Sequence, residues 1–247
     1  MPNPSADRVI CSFQGVNFLT RQEIQALTGL SRVTVSQSVQ ELLADGVLVE
    51  ANSLPSSGGR KASSLAINPS HGFIAIAYFS ATSLSIAVAN LAGEIIKVKT
   101  AEVKIELGPE ITLPLAVDSL IELLKGISKS KLLGIVIGVP GPVDHLNGTV
   151  INPPIMKGWD GINIVNFFER KFKVKVFLEN EVNLMAIAEH RMIYPEIENL
   201  LLVKMSTGIG SGLIINNKLF RGAQGSAGDI GHIQIDALKD LPCRCGH

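Results

Sequence analysis

Two cysteines and two histidines near the end of the sequence constrain its fold most, because they have the composition of a metal site. Cys243 and Cys245 stand one residue apart, and His232 precedes Cys243 by eleven residues. Zinc in a closed structural site takes four thiolate or imidazole ligands. This sequence offers three of them, with His247 as an alternative fourth. We therefore expect a partial zinc site in a chain that is the N-terminal part of a longer protein.

The composition is that of a globular protein that folds without disulfide bonds. Of 247 residues, 46% are hydrophobic and 18% are charged, which suits two or three domains with real cores. The formal net charge is +0, so no global field attracts the chain to nucleic acid or to a membrane. No segment has the pattern of a transmembrane span or a secretory signal, and three cysteines do not make a disulfide framework. We expect a cytoplasmic protein in which Cys11 lies in a helical core.

The first part of the chain contains several residues that favour helix caps. Ser5 precedes a short apolar period, and Thr20 with Glu23 has the spacing of a capping box. Ser31 precedes a longer amphipathic period. The pattern predicts three helices, of which the second and third form a helix-turn-helix joined at Gly29.

Two short apolar segments, 47–50 and 64–67, follow these helices and flank a polar loop that carries two glycines and the pair Arg60-Lys61. The pattern predicts a winged helix-turn-helix domain (α+β) over residues 1–69, with the loop as its wing. Side chains on the third helix and the wing would contact operator DNA: Arg32, Thr34, Ser36, Gln37, Arg60 and Lys61. Five cations in this domain are balanced by five anions, so we expect specific binding to need a dimer. A winged helix that binds protein instead of DNA is the alternative.

Beyond residue 69 the pattern changes to alternating strands and helices. Three strand segments precede a helical segment at 111–128, and the apolar run 132–139 is typical of a central strand buried on both faces. A short strand at 174–178, a helix at 183–192 and strands at 200–205 and 213–215 complete the pattern. The order predicts an α/β fold of the actin-like phosphotransferase kind.

Six motifs in this region occur in a fixed order: GIVIGVPGPVD (134–144), GWDGINI (158–164), ENEVN (179–183), STGIGSG (206–212), GAQGSAGDIGH (222–232) and CRCGH (243–247). Together they resemble the ROK family of repressors, open reading frames and kinases, and the resemblance covers nearly the whole chain. It implies an actin-like ATPase (ribonuclease-H-like) fold with a first lobe at 70–195 and the start of a second at 196–247. In this family, kinases phosphorylate sugars with ATP, whereas repressors carry an N-terminal winged helix and respond to sugars.

The phosphate-binding loop separates repressor from kinase within this resemblance. The kinases carry an Asp-x-Gly-x-Thr loop where this sequence has Tyr78, Ser80 and Thr82, and an Asp base where it has Glu181. A phenol cannot hold a metal ion as a carboxylate does, and the longer Glu181 moves the base by about one ångström. We expect a sugar-responsive transcriptional regulator without enzymatic activity. An ATP-dependent sugar kinase with a fused winged helix is the alternative, and a gene remnant that still binds DNA is a third hypothesis.

The resemblance also implies the ligand sites. The implied sugar-binding residues are Gly138, Gly141, Asn180, Glu181, Asp229 and His232, and the implied zinc ligands are His232, Cys243 and Cys245. Carboxylates and amides suit sugars because they make paired hydrogen bonds to neighbouring hydroxyls. Asn180 and Asp229 could instead be turn and cap residues, and His145 is expected at the surface. The implied partners are operator DNA, a small sugar and a second copy of the chain in a homodimer or higher oligomer, with no membrane.

Overall fold

The computed structural model describes residues 3–51, 63–223 and 225–233. The chain divides into two compact units, residues 1–72 with 90–94 and residues 73–89 with 95–247. Each unit has its own cluster of buried apolar side chains. In the part of the chain that the structure describes, no helix is long and apolar enough to cross a membrane.

Three helices and a two-stranded sheet make up the described part of the first unit. The helices are α1 (Pro4–Ser12), α2 (Arg21–Thr28) and α3 (Arg32–Ala44), and the antiparallel strands are β1 (Leu48–Ala51) and β2 (Ser64–Ile67). Leu19, just before α2, forms a further antiparallel bridge with Leu65 of β2, through backbone hydrogen bonds of 3.0 and 2.8 Å. The predicted order of three helices and two strands is therefore present.

The caps of these helices follow from local side-chain chemistry. The hydroxyl of Thr20 accepts a hydrogen bond from the Glu23 backbone N–H, and the Glu23 carboxylate accepts one from the Thr20 N–H, so the predicted capping box is confirmed. The prediction that Ser5 caps α1 was wrong. Asn3 is the cap, because Pro4 occupies the first helical turn, where a missing N–H costs nothing, and starts the helix earlier.

The core of the first unit is formed by one face of each helix together with both strands. Val9, Ile24 and Val39 are fully buried there. The prediction that Cys11 lies in this core was wrong, because its side chain is exposed. The buried face of α1 runs through Val9 and on to Phe13, four residues later, and a residue midway between them points away from that face.

The described part of the second unit contains two larger sheets and a two-stranded hairpin. Its strands, in chain order, are β3 (Phe73–Phe79), β4 (Ser83–Asn90), β5 (Ile95–Glu102), β6 (Leu132–Val139), β7 (Val143–Asp144), β8 (Thr149–Val150), β9 (Lys175–Asn180), β10 (Leu200–Met205), β11 (Ile209–Ile215) and β12 (Lys218–Phe220). The larger sheet has the order β5-β4-β3-β6-β9, with β3, β6 and β9 parallel and β5 antiparallel to β4. The smaller sheet, β10-β11-β12, is antiparallel, while β7 and β8 form a separate hairpin. The mixed larger sheet agrees with the predicted α/β class.

Three helices accompany these sheets: α4 (Pro109–Leu123), α5 (Ile164–Phe172) and α6 (Glu181–Met192). The predicted central strand at 132–139 coincides with β6, which is flanked by β3 and β9 and carries fully buried Ile135 and Ile137. The hairpin β7–β8 was not predicted. The predicted order of elements has a helix between β6 and β9, without bounds, and α5 lies there.

Helix α6 lies between the larger and the smaller sheet in the chain and packs closely on β11. A Cβ atom added to Gly212 would stand 2.6 Å from the Cβ of Ala186, so only glycine allows this approach. The prediction that the strand begins at 213 was wrong, because β11 starts at Ile209 and takes in most of the glycine-rich segment. Gly210 and Gly212 on β11 therefore allow the close contact with Val182 and Ala186 of α6.

Candidate functional site

A pocket of about 150 Å³ lies in the second unit, where the start of α6 meets the turn between β10 and β11 and the glycine-rich segment 225–229. Five of the six predicted sugar-binding residues line it: Gly141, Asn180, Glu181, Asp229 and His232. The structure therefore brings together residues that are up to 91 positions apart, from 141 to 232, in the sequence. Lys204, which the sequence analysis did not single out, also lines the pocket.

Asn180 joins β9 to α6, and its side chain hydrogen-bonds to nearby backbone groups. Its carbonyl oxygen accepts hydrogen bonds from the backbone N–H groups of Val182 and Asn183, at 2.8 and 3.3 Å. Its amide group donates to the backbone oxygen of Gly141 at 2.9 Å. The side chain thus caps α6 and fixes the loop after β6, which is the alternative role considered for it above.

Glu181 is the first residue of α6 and carries a buried carboxylate, with 5% of the residue exposed. One carboxylate oxygen, Oε1, accepts a hydrogen bond from the ammonium group of Lys204, which stands on β10. The other, Oε2, accepts one from the phenol of Tyr78 at 3.0 Å. Both oxygens therefore already have a donor, and the charge of Glu181 is compensated inside the protein.

Tyr78 lies near the end of β3, at the position where kinases resembling this chain carry a carboxylate. Burial, and then the nearby charge of Glu181, raise the pKa of the Tyr78 phenol well above its ordinary range. The phenol is therefore a protonated donor to Glu181 at any physiological pH.

Gly138 was predicted to bind the sugar, but it does not line the pocket. A Cβ atom there would stand 3.0 Å from the Tyr78 ring and 2.8 Å from Leu184, so this glycine makes room for the phenol.

A second buried carboxylate, Glu179, stands two residues before Glu181 at the end of β9. Arg221 donates to its Oε2 atom through Nε at 2.9 Å and through a terminal nitrogen at 2.7 Å. Its Oε1 atom accepts from the side chain of Asn183, at 2.9 Å. His145, which was expected at the surface, has its Nε2 atom 3.5 Å from the same oxygen and a side chain that is 30% exposed. The sequence analysis quoted Glu179 within ENEVN without giving it a role, and it missed Arg221.

The glycine-rich segment that closes the pocket is fixed to β11. The backbone oxygen of Gly228 accepts hydrogen bonds from the N–H and the hydroxyl of Ser211, each at 2.8 Å. A Cβ atom at Gly228, where φ is +92°, would lie 2.1 Å from the Ser211 backbone oxygen, so no other residue fits. Asp229 and His232 follow, with 3.9 Å between the Asp229 Oδ1 and His232 Nε2 atoms. Both side chains are partly exposed at the pocket.

Of the three predicted zinc ligands, one lies within the described residues and two lie outside them. His232 ends the short 3-10 turn Ile230–His232, whereas Cys243 and Cys245 lie outside the described residues. Within 3–51, 63–223 and 225–233, no group of three or more His, Cys, Asp or Glu side chains could hold a metal ion. His232 is the one predicted ligand whose surroundings can be described.

The predicted DNA-contacting residues lie mainly on α3. Arg32 and Gln37 are exposed, while Thr34 and Ser36 are half-buried. The Thr34 hydroxyl is 2.8 Å from the hydroxyl of Ser31, whose side chain caps α3 as predicted, so Thr34 takes part in the cap. Arg60 and Lys61 lie outside the described residues.

The sequence is similar to known repressors over most of its length. It is 34% identical over 232 residues to the xylose repressor of Caldicellulosiruptor bescii, an alignment that covers 93% of this chain and 58% of that protein. The chain thus spans little more than half the length of this relative.

Solved structures resemble the fold. A ROK family transcriptional regulator, a homologue of the E. coli MLC protein, matches 98% of this chain and 63% of its own with a TM-score of 0.76 at 20% identity. A ROK family glucokinase from Streptomyces griseus, in complex with glucose and AMPPNP, matches 71% of this chain and 55% of its own with a TM-score of 0.60 at 26% identity. These likenesses confirm the predicted actin-like α/β fold.

The family pattern itself covers the second unit. It matches residues 79–247, more than half of the chain, and includes every residue described above around the pocket except Tyr78, one position before its start. The chain belongs to the ROK family.

Proposed function

We propose that this chain is a sugar-responsive transcriptional repressor, which binds operator DNA through its first unit and a small sugar in the pocket of its second unit. The name of its xylose-repressor relative supports the proposal. The observation that carries it is the state of Glu181, a buried carboxylate held by both Lys204 and Tyr78 at a small pocket. This arrangement suits ligand binding better than catalysis.

The first unit supports DNA binding by its arrangement. Helices α2 and α3 are joined by a turn in which Gly29 has a φ of 65°, and the pair β1–β2 is extended by the bridge from Leu19. We infer a winged helix, in which α3 enters the major groove by its N-terminal half and the loop between β1 and β2, with Arg60 and Lys61, is the wing. Arg32, Ser36 and Gln37 would then face the DNA.

The pocket supports a sugar as effector. The pocket is a cleft lined by apolar groups and a few convergent polar side chains, as small-molecule sites are. Asp229 and His232 place an acceptor and an imidazole at its edge, and Lys204 adds a donor beside Glu181. Sugar hydroxyls both donate and accept, so they match such a mixed lining. D-xylose is the first sugar to test.

The enzyme alternative is disfavoured by the same geometry. A sugar kinase of this family needs a metal ion that organises the ATP phosphates as well as a base for the sugar hydroxyl. Tyr78 stands where the family's kinases carry the carboxylate that holds the metal ion, and its phenol donates to Glu181 instead. We propose that the chain transfers no phosphoryl group from ATP, although glucokinases share its fold.

We also propose a structural zinc ion held by His232, Cys243 and Cys245. The imidazole of His232 is chemically suited to this ion, and its side chain is one-third exposed, so a cation can reach it. Bound zinc would tie the end of the chain to the segment that carries Asp229. Cys243→Ser should then lower zinc content, measured by atomic absorption, and sugar affinity together. Zinc loss with unchanged sugar affinity would contradict the coupling.

Ligand and DNA would influence each other by linkage in a homodimer. If the sugar prefers one arrangement of the second unit and paired half-sites prefer one spacing of the first units, each ligand lowers the affinity for the other by the same factor.

The test of the proposed function has two arms. The 247-residue chain is incubated with a pool of random duplexes to select bound sequences, and a panel of pentoses and hexoses is screened for a rise in Tm. We expect an enriched sequence and at least one stabilising sugar. ATP turnover above background that disappears in Glu181→Ala, with no enriched duplex, would support the kinase alternative instead.

A further inference from the structure

The exposed face of α3 carries three uncharged side chains in one line. Val33, Gln37 and Gln40 are spaced by four and three residues, so they lie next to one another on the helix surface. The opposite face, with Val35, Ser38, Val39 and Leu42, is buried in the core of the first unit. We call Val33, Gln37 and Gln40 the α3 stripe.

Two other polar side chains of α3, Thr34 and Glu41, are engaged elsewhere. The Thr34 hydroxyl contacts the Ser31 hydroxyl at 2.8 Å, and the Glu41 carboxylate accepts a hydrogen bond from the side chain of Asn3 at 2.7 Å. Val33, in contrast, is 66% exposed at the N-terminal end of the helix. A single exposed valine needs no explanation, but one aligned with two exposed glutamines forms a surface of defined chemistry.

We propose that the α3 stripe reads A·T base pairs in the operator half-site, with Val33 packing on the C5-methyl group of a thymine. The inference rests on the proposed function of the first unit. A glutamine amide pairs with the N6 and N7 atoms of adenine in the major groove, and an apolar side chain contacts the methyl group that distinguishes thymine. Gln37 and Gln40 therefore select adenine, and Val33 selects thymine.

The dimensions agree with a short reading segment. Val33 and Gln40 are seven positions apart, which corresponds to about 10 Å along a helix. About three base pairs span the same distance, at roughly 3.4 Å each. The half-site should therefore hold about three adjacent positions at which A·T pairs are preferred, flanked by positions contacted through the backbone.

The experiment uses the 247-residue chain and the duplexes enriched from a random pool. In the best duplex, each half-site thymine is replaced in turn by deoxyuridine, which lacks the methyl group, and Kd is measured by fluorescence anisotropy. We expect one position at which deoxyuridine weakens binding about fourfold, equivalent to about 0.8 kcal/mol for one methyl group. In Val33→Ala, the ratio of the Kd for the deoxyuridine duplex to the Kd for the thymine duplex should fall to about one at that position. Gln40→Ala should relax the preference for adenine at a nearby position.

Val98→Ala is the matched control, because Val98 is 65% exposed but lies on β5 in the second unit. It should keep the full thymine-over-deoxyuridine ratio. Enriched duplexes without A·T positions, or a ratio that Val33→Ala leaves unchanged, would overturn the proposal while leaving DNA binding intact. Enrichment of no sequence at all would instead reject the proposed function, and this proposal with it.

Discussion

Glu181 and Tyr78 illustrate how one substitution changes the chemistry of a shared pocket. A carboxylate in place of Tyr78 would repel Glu181 and compete for cations, whereas the phenol donates a hydrogen bond to it at 3.0 Å. Lys204 then supplies the compensating charge. With both donors in place, the charge of Glu181 is compensated within the second unit.

Replacing Glu181 by Gln tests its role in ligand binding. The amide keeps the shape but loses the charge that strengthens hydrogen bonds to sugar hydroxyls, so we expect sugar affinity to fall by about tenfold or more, or ~1.5 kcal/mol. Titration calorimetry with the sugar identified in the panel measures this. Glu189→Gln is the control, because Glu189 lies exposed on the same helix. Equal affinity in both variants would argue against a ligand contact.

Tyr78 should give the protein a characteristic alkaline sensitivity. Because its folded-state pKa lies above the unfolded value of about 10, the unfolded chain releases the proton first as pH rises. The stabilisation that depends on this phenol is complete below pH about 10 and is lost above it. The Tm advantage of the natural chain over Tyr78→Phe should therefore be constant at neutral pH and shrink above pH about 10. An advantage that grows with alkalinity would contradict the raised pKa.

At the scale of elements, the junction of β9 and α6 organises the pocket. It contributes two buried carboxylates, Glu179 and Glu181, whose cationic partners come from or next to the smaller sheet: Lys204 on β10 and Arg221 just after β12. The two ion pairs join the larger-sheet and smaller-sheet sides of the second unit. Glu179 does not line the pocket, so we expect its role to be structural.

A double-mutant cycle tests that role. Arg221→Met leaves the buried carboxylate of Glu179 without its cation, and we expect a loss of roughly 1–3 kcal/mol in the free energy of unfolding measured with urea. Adding Glu179→Gln removes the uncompensated charge and should restore part of that loss. Lys99→Met, which breaks the exposed pair with Glu122, should cost at most about 1 kcal/mol. Additive effects of Arg221→Met and Glu179→Gln would reject a direct coupling.

The proposed wing is a second element that can be tested. If Arg60 and Lys61 contact phosphates, Arg60→Ala and Lys61→Ala should weaken binding to all duplexes alike. Each should reduce the slope of log K against log salt by about 0.9. Gln37→Ala should alter the preferred sequence and leave the slope unchanged. Unchanged DNA binding in a variant that combines Gln37→Ala, Arg60→Ala and Lys61→Ala would reject the winged-helix assignment.

The predictions succeeded where local chemistry or a long pattern decides the structure. The capping box at Thr20 and the buried strand at 132–139 needed only spacing and composition. Asn180, Glu181 and His232 were named through the family resemblance; they line one pocket, and their role in sugar binding stays a prediction. Partners from distant strands, such as Lys204 and Arg221, could not be predicted, because no periodicity links them to Glu181 and Glu179. Helix α5 did leave a local signal, since Asn163 caps it at 2.7 Å from the Asn166 N–H.

At the scale of the whole molecule, the proposed function divides between two compact units. The first presents α3, and the second holds a pocket built from residues 140–232. Neither task alone makes a sugar-responsive repressor, because the response requires that one ligand change the affinity for the other. That coupling, and not either binding event, is the central claim.

The most direct test is a reciprocal titration. The Kd of the selected duplex is measured by anisotropy with and without a saturating concentration of the sugar found in the panel, and the Kd of the sugar is measured with and without the duplex. We predict that each ligand raises the other's Kd by the same factor, about fivefold or more, and that Glu181→Gln binds the duplex but needs at least about ten times more sugar for the same response. If the sugar binds at full occupancy and the Kd of the duplex stays the same, the chain is not a sugar-responsive repressor of the kind proposed.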